Sequence, residues 1–358
     1  MEQQRTSAPD RAEGSPLLPD QPADWTEPGA HRVGDHVHRI PLPLPLDDLA
    51  AVNVYLVEAP DALVLIDSGW AGPRTEEALG KALSTLGYAL GDLTQILVTH
   101  GHWDHYTQAL ALRAALGVHV RVGRGERHSI EGLDLSGSAH PRQTARLRAC
   151  GAGELADRVD ALPVTPAERS MPFGPPDTWL DDGEHIHLAD RRLKVIATPG
   201  HTRGHVVFAD PAAGLLFAGD HVLPHITPSV GFEAVPEKSP LRSYRRSLRL
   251  VRELPNALLL PAHGPVSVGV HARVDELLAH HEERLDATLR EVRAGAATAH
   301  AVARALPWTR RRRPLDALPD LHRMLAILET DAHLDVLAEA RAVSYTWVEG
   351  VRHFAVRA

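Results

Sequence analysis

The chain has 358 residues, 44% of them hydrophobic, and a formal net charge of −8 at pH 7. This length and apolar content favour a large folded body with a smaller second unit, and the negative charge gives no overall attraction to nucleic acid. No run approaches the roughly 20 apolar residues of a membrane span, no basic and apolar signal opens the chain, and the one cysteine suits a reducing compartment, so we expect a cytoplasmic protein without a membrane partner.

The first third of the chain alternates strand and helix patterns. Residues 1–30 are rich in Pro, Gln, Ser, Asp and Glu without an apolar period, which predicts a disordered tail. Strands buried on both faces and helices between them predict an α/β architecture. The predicted elements are strands over 37–42, 51–57, 62–69, 95–98 and 118–122 and helices over 75–88 and 108–116.

A run of metal-binding residue types follows the predicted strand 95–98. Residues 99–105 read Thr-His-Gly-His-Trp-Asp-His and contain the candidate ligands His100, His102, Asp104 and His105. Imidazole nitrogen and carboxylate oxygen suit zinc and other first-row divalent ions. Gly101 lets the backbone turn where the strand ends, so we expect the ligands on a loop at its carboxyl end.

The middle of the chain supplies three further candidate ligands. Residues 130–176 become polar and then Pro-rich, which predicts a helical insertion over the body. Strands resume after it, and His201, Asp220 and His263 each stand beside a glycine where a strand has closed. Loops at one sheet edge gather residues that are distant in sequence. The predicted strands are 185–188, 193–198, 206–208, 215–218 and 257–260.

The last third of the chain predicts a long helix and a small unit. An amphipathic helix over 271–293 links a body of residues 31–270 to residues 294–358. The small unit reads as a winged-helix-like domain of three helices and a hairpin. Its basic turn, Arg310–Arg313, fits either nucleic-acid contact or a solvated turn. Its predicted elements are helices over 298–305, 318–328 and 332–340 and strands over 343–348 and 351–356.

Seven candidate ligands are more than one tetrahedral ion can bind. They suit two ions about 3.5–4 Å apart that share one carboxylate. The natural division gives one ion His100, His102 and His201 and the other ion Asp104, His105 and His263. Asp220 would bridge the two ions.

Five ordered segments resemble the metallo-β-lactamase fold superfamily over roughly residues 33–270, in the dinuclear branch of glyoxalase II, lactonases and RNase Z-like enzymes. They are Asp67 after an early strand, the HxHxDH run, PGHTxGH at 199–205, the GD dipeptide and the final AHG. The resemblance implies a four-layer αββα sandwich followed by a small winged-helix-like domain. It also implies that His201 is the ligand of its segment, that His205 has a supporting role, and that Asp67 is a buried acid that orients the HxHxDH loop.

The predicted function is hydrolysis with two divalent ions, most readily zinc, with iron or manganese also suitable. Such ions lower the pKa of a bridging water from about 15.7 toward 7. The resulting hydroxide would attack a thioester, ester or lactone carbonyl of a small-molecule or acyl-carrier substrate, with Asp104 as both ligand and proton carrier.

Two other functions remain open at this point. One is a metal-dependent endoribonuclease or phosphodiesterase, and the other is a winged-helix nucleic-acid-binding regulator on a degenerate hydrolase, which the complete ligand set disfavours. The acidic chain also disfavours a nucleic-acid partner. A homodimer is a candidate assembly. Trp103, His221 and His225 lie beside ligands in the sequence and are candidates for lining a pocket, with ordinary scaffold as the alternative.

Overall fold

The computed structural model describes residues 21–46, 49–133, 140–233 and 235–357. Residues 1–20 of the predicted tail lie outside this part of the chain. Residues 21–30, in contrast, form turns that pack on the body. The Arg39 guanidinium is 1% exposed and donates hydrogen bonds to Trp25 O at 2.5 Å and to Gln21 Oε1 at 3.2 Å. Because a buried guanidinium needs acceptors, this loop belongs to the packed structure and the tail prediction extends ten residues too far.

Seven strands form the first sheet. They lie in chain order across it, with antiparallel pairing among the first four and parallel pairing from the fourth to the seventh. The first and last of them were not predicted from the sequence. The strands are β1 (His31–Gly34), β2 (Val37–Pro43), β3 (Ala51–Ala59), β4 (Ala62–Ile66), β5 (Gln95–Val98), β6 (His119–Gly123) and β7 (Thr178–Leu180).

Five strands form the second sheet, in the order β12-β11-β10-β9-β8. The pair β11 and β12 is parallel and the other pairs are antiparallel. A separate hairpin ends the chain. The strands are β8 (His185–Leu188), β9 (Arg191–Ala197), β10 (Val206–Asp210), β11 (Leu215–Gly219) and β12 (Leu258–Pro261), and the hairpin is β13 (Val343–Val348) and β14 (Val351–Val356).

Helices cover the outer faces of both sheets and build the C-terminal segment. The described residues of the predicted helical insertion 130–176 contain three short helices. No described helix has both the length and the apolar character needed to cross a membrane. The helices are α1 (Pro73–Thr85), α2 (Trp103–Leu116), α3 (Arg127–Glu131), α4 (Pro141–Ala149), α5 (Gly153–Asp160), α6 (Pro166–Arg169), α7 (Pro240–Glu253), α8 (Val270–Arg293), α9 (Ala299–Ala305) and α10 (Asp320–Glu339).

Three apolar cores separate four layers. One core lies between the sheets, where Tyr55 of β3 meets Phe217 of β11 edge to face with ring centroids 5.5 Å apart. A second core joins the first sheet to α1 and α2, and a third joins the second sheet to α7, α8 and the C-terminal segment. The order helix, sheet, sheet, helix confirms the αββα sandwich. Burial of these three apolar interfaces is the main source of the fold's stability.

Helix α2 begins five residues earlier than the sequence predicted. It starts at Trp103 instead of residue 108, so Asp104 and His105 lie in its first turn and not on a loop. Residues 105–110 are all buried, so this part of the helix has no exposed face. The sequence therefore lacks the alternation of an apolar face with a polar face from which most helices are predicted. The earlier start fixes the backbone that carries two of the candidate ligands.

The C-terminal segment differs from the predicted three helices. The patterns over 318–328 and 332–340 belong to one continuous helix, α10. No glycine or proline separates them, and Thr330 Oγ1 donates to Ala326 O at 2.8 Å within the helix. Two helices and a hairpin therefore follow α8. The long helix α7 was missed, although its Leu241, Tyr244, Leu248 and Val251 follow a helical period.

Candidate metal centre

All seven predicted ligands meet at one edge of the sandwich. Each follows the end of a strand: β5 leads to His100, β9 to His201, β11 to Asp220 and β12 to His263. Their nitrogen and oxygen atoms fall into two neighbouring sets, with the ligand atoms of each set within 4.8 Å of one another. We call His100, His102 and His201 the first group, and Asp104, His105 and His263 the second group.

The first group is a convergence of three imidazoles. His102 Nδ1 lies 3.0 Å from His100 Nε2 and 3.1 Å from His201 Nε2. His102 is the residue just before α2, with extended backbone, and this places its ring toward β9 and not along the helix. Three ring nitrogens that face one point form a set of ligands suited to a divalent cation.

The second group combines one carboxylate with two imidazoles. Asp104 Oδ2 lies 3.3 Å from His263 Nε2 and 3.5 Å from His105 Nε2. His105 is fully buried, His263 is 4% exposed, and Asp104 is partly exposed. The first turn of α2 therefore faces the loop after β12.

Asp220 faces both groups with different oxygens. Its Oδ2 lies 3.4 Å from His201 Nε2, in the first group. Its Oδ1 lies 3.4 Å from His263 Nε2 and 3.7 Å from His105 Nε2, in the second group. This is the position that a shared carboxylate requires.

Asp67 orients the HxHxDH segment from beneath. Its Oδ2 lies 3.0 Å from His105 Nδ1, and its Oδ1 accepts the backbone N–H of Thr99 at 2.8 Å. The bond to Nδ1 leaves the His105 Nε2 lone pair directed into the second group. Asp67 has a backbone φ of 58°, an uncommon conformation for a residue other than glycine. This strained backbone lies where the residues after β4 contact the HxHxDH segment.

Three further candidate ligand rings are also fixed through their second nitrogens. A backbone carbonyl accepts the Nδ1 proton in two cases, which leaves Nε2 free to bind a cation. The contacts are His201 Nδ1 to Ser229 O at 2.7 Å, His263 Nδ1 to Ala51 O at 2.9 Å, and His100 Nδ1 to Thr99 Oγ1 at 3.1 Å.

His205 supports Asp220 and does not face either group. Its Nε2 accepts the backbone N–H of Asp220 at 3.2 Å, and its Nδ1 lies 2.8 Å from Thr198 Oγ1. Both ring nitrogens are therefore engaged with the protein. Fully buried, this imidazole positions the backbone of the shared carboxylate.

The two groups differ in charge because carboxylates surround only the second group closely enough to outweigh burial. In the first group it lowers the pKa of His102 to about 3 and that of His201 to about 4, so both rings are neutral and able to bind a cation. In the second group burial also opposes a charged ring. There the carboxylates of Asp104, Asp67 and Asp220 outweigh it and raise the pKa of His105. The second group therefore attracts positive charge strongly.

Three buried atoms at this centre have no hydrogen-bond partner among the described residues: His105 Nε2, His263 Nε2 and Asp220 Oδ1. An unpaired buried polar atom costs free energy. When the two imidazoles are neutral, all three atoms offer lone pairs to the same point, and one cation can accept them together. The residues therefore fit divalent metal ions.

The three candidates for pocket lining have different surroundings. Trp103 is partly buried and packs against Trp70 with ring centroids 5.4 Å apart. His221 is fully buried with its ring 5.3 Å from that of Tyr244, so it belongs to the interior and not to a pocket wall. His225 is exposed on the loop after Asp220.

Two buried acids behind the first group were not predicted from the sequence. Glu126 accepts hydrogen bonds from Thr202 Oγ1 and from Gly204 N, so it ties the loop after β6 to the loop that carries His201. Glu233 Oε2 accepts Arg203 N at 2.8 Å in the same place. Burial raises the pKa of Glu126 to about 7. Gly204 lets the two loops approach closely, because a Cβ there would lie 1.9 Å from Glu126 N, but this approach is visible only in the structure.

Residues 47–263 match the Metallo-beta-lactamase superfamily, and the chain belongs to this family of hydrolases. It is 25% identical over 329 residues to the probable metallo-hydrolase YqjP of Bacillus subtilis, covering 88% of this chain and 96% of that protein. It is 28% identical to a hydroxyacylglutathione hydrolase of Methylococcus capsulatus, covering 70% of this chain and 77% of the relative. The crystal structure of the metallo-beta-lactamase family protein TTHA1429 of Thermus thermophilus matches with a TM-score of 0.73 and 28% identity, covering 90% of this chain and 99% of that one.

Proposed function

We propose that this protein is a dinuclear hydrolase of acyl thioesters, with esters and lactones as chemically related substrates. The observation that carries the proposal is the position of Asp220, whose two oxygens lie 3.4 Å from ligand nitrogens of different groups. A single-ion site would not need a carboxylate between two complete sets of ligands.

The chain's own residues would prepare the reaction in three ways. The first group and the second group would each hold one ion, with Asp220 shared between them. Asp67 and His205 would keep the ligands in place from behind. Asp104 would be the catalytic carboxylate: burial alone would raise its pKa, but His105 and His263 outweigh burial and lower it, so Asp104 stays ionised and able to bind a cation.

When bound, two divalent ions supply activated water and polarise the carbonyl oxygen under attack. Zinc is the ion that we expect first, because imidazole and carboxylate ligands suit it, and iron and manganese would also fit. The similarity to a hydroxyacylglutathione hydrolase supports a thioester, because an acyl group on glutathione is carried by sulfur. A winged-helix character of the C-terminal segment, a homodimer and the cytoplasmic location stay predictions.

The experiment compares four substrate classes on zinc-loaded protein: acyl thioesters, lactones, phosphodiesters and RNA. We expect thioester hydrolysis in the wild type and at least about a thousandfold loss in Asp104→Ala and His263→Ala. Asp190→Asn, at an exposed position outside the site, is the matched control and keeps full activity. RNA or phosphodiester cleavage without thioester hydrolysis would contradict the proposal, as would full activity of either ligand variant.

A further inference from the structure

A strained turn rich in arginine lies in the C-terminal segment. Trp308 and Arg313 exchange backbone hydrogen bonds of 2.8 and 2.7 Å and so close a loop of four residues. Within it Thr309 has a φ of 63° and Arg312 a φ of 53°, conformations that are uncommon for side chains of this kind. Strain of this sort persists only when the surroundings enforce it, and it is frequent at ligand sites.

Trp308 anchors the turn in the interior. Its indole is 8% exposed, and Nε1 donates to Ala303 O at 2.7 Å. The guanidinium carbon of Arg284, a residue of α8, lies 4.3 Å from the centroid of the Trp308 ring. The turn is therefore held by a cation–π contact and a buried hydrogen bond, and it presents its arginines from a rigid base.

Arg310, Arg311 and Arg312 are exposed and make no ion pair with any carboxylate of the described residues. Many other arginines of this acidic chain have such a partner, for example Arg304 with Asp316 at 3.2 Å, near the turn. Three consecutive arginines without counter-ions concentrate positive charge on this short turn, and like charges repel one another. An anionic ligand would relieve this repulsion and accept several of their hydrogen bonds.

One short loop separates the turn from the metal centre. Arg310 donates to the backbone carbonyl of His225, and Arg273 of α8 donates to those of Leu223 and Ile226. The same loop packs against the residue after a ligand, because a Cβ on Gly264 would lie 2.7 Å from Pro224 Cγ. This loop thus connects the turn to the residue after His263 of the second group, and a ligand that touches both places must span the loop.

We infer that Arg310–Arg312 binds a phosphate group of the substrate, at the end opposite the bond that is hydrolysed. Guanidinium groups bind phosphate through paired, charge-assisted hydrogen bonds. This inference rests on the proposed thioester hydrolysis and narrows its substrate to phosphorylated thioesters. Two sources share this chemistry: coenzyme A and the phosphopantetheine arm of an acyl carrier protein.

The test uses one acyl group on three thiols, N-acetylcysteamine, coenzyme A and an acyl carrier protein, so that the reacting bond is constant and only two substrates carry phosphate. The variant is Arg311→Gln/Arg312→Gln, which leaves the contact of Arg310 with His225 intact. The matched control is Arg290→Gln/Arg293→Gln, which removes the same charge. Both arginines are exposed and lie near the end of α8, about 30 Å along that helix from its start.

We expect the ratio of kcat/KM for a phosphorylated thioester to that for the N-acetylcysteamine thioester to fall at least about tenfold in the variant and to stay constant in the control. The ratio in the wild type should also fall as salt is raised. The phosphorylated substrate whose kcat/KM ratio falls more in the variant identifies whether the phosphate belongs to coenzyme A or to the acyl carrier protein.

Two results would overturn the inference, and they are distinguishable. If the wild type hydrolyses all three thioesters and the variant leaves the ratios unchanged, only the phosphate site is wrong; a simultaneous loss of RNA cleavage in the variant would assign the turn to nucleic acid. If the metal-loaded wild type hydrolyses none of the thioesters, the proposed function fails and the inference fails with it.

Discussion

Asp220 Oδ1 lies 3.4 Å from His263 Nε2, and both atoms are buried without a hydrogen-bond partner among the described residues. Neither atom is a donor when the imidazole is neutral and bonded through Nδ1 to Ala51 O. A cation that accepts both lone pairs would therefore stabilise the pair. The folded chain should bind metal far better than the unfolded chain, which links metal binding to stability.

Removal of metal should lower the free energy of unfolding. A ligand that binds only the folded state at about 1,000 times its Kd contributes about 4 kcal/mol. We expect urea unfolding of the wild type to shift to lower midpoint after chelation and to recover when zinc is restored. The urea midpoint of His263→Ala should fall less on chelation than that of the wild type. Coincident unfolding curves with and without metal would contradict the account.

The substitution Asp67→Asn should weaken metal binding although it preserves size. The two oxygens of Asp67 accept from Thr99 N and face His105 Nδ1, so an asparagine amide must turn its NH₂ toward one of these donors. Loss of a partner behind a metal ligand costs roughly 10–100-fold in affinity or activity. Zinc affinity measured by competition with a chromogenic chelator checks this effect. An affinity equal to that of the exposed control Asp190→Asn would show that Asp67 has no orienting role.

Glu233 should make stability depend on pH. Burial raises its pKa to about 8 and the nearby Glu126 adds to the shift, so the folded chain holds a proton that the unfolded chain releases near 4.5. The folded state binds more protons between these values. Stability from this group is therefore complete below about pH 4.5 and declines as pH rises toward 8, by up to about 1.4 kcal/mol per pH unit.

The variant Glu233→Gln imitates the protonated side chain. The free energy of unfolding of this variant should change less than that of the wild type between pH 6 and pH 8. Near pH 5 the two proteins should have similar free energies of unfolding. Urea titrations at the three pH values provide the measurement. Parallel pH profiles would mean that Glu233 is ionised in the folded chain.

The sequence allowed prediction that the seven candidate ligands converge, because the segments that carry them each follow an apolar strand and contain a glycine. His201, Asp220 and His263 are far apart along the chain, yet strand ends at one edge of a sandwich meet; their binding of metal stays a prediction. The start of α2 was missed for a different reason. Burial of every residue from 105 to 110 leaves no polar face, and periodicity is the property from which a helix is predicted.

Glu126 and Glu233 could not be found from local sequence. Glu126 accepts from Gly204 N and Glu233 accepts from Arg203 N, and neither acid has distinguishing neighbours along the chain, because these partners lie on another segment. The arginine turn was visible in the sequence, but its place beside the loop of His225 was not. Contacts between distant segments decide which exposed charges border a site.

Metal content of the purified chain tests the central claim most directly. Native mass spectrometry of zinc-saturated protein should show two ions per wild-type chain and one per His263→Ala chain, because that substitution removes a ligand of the second group and leaves the first group complete. A wild-type chain that binds a single ion at saturation, or none, would contradict the two-metal site.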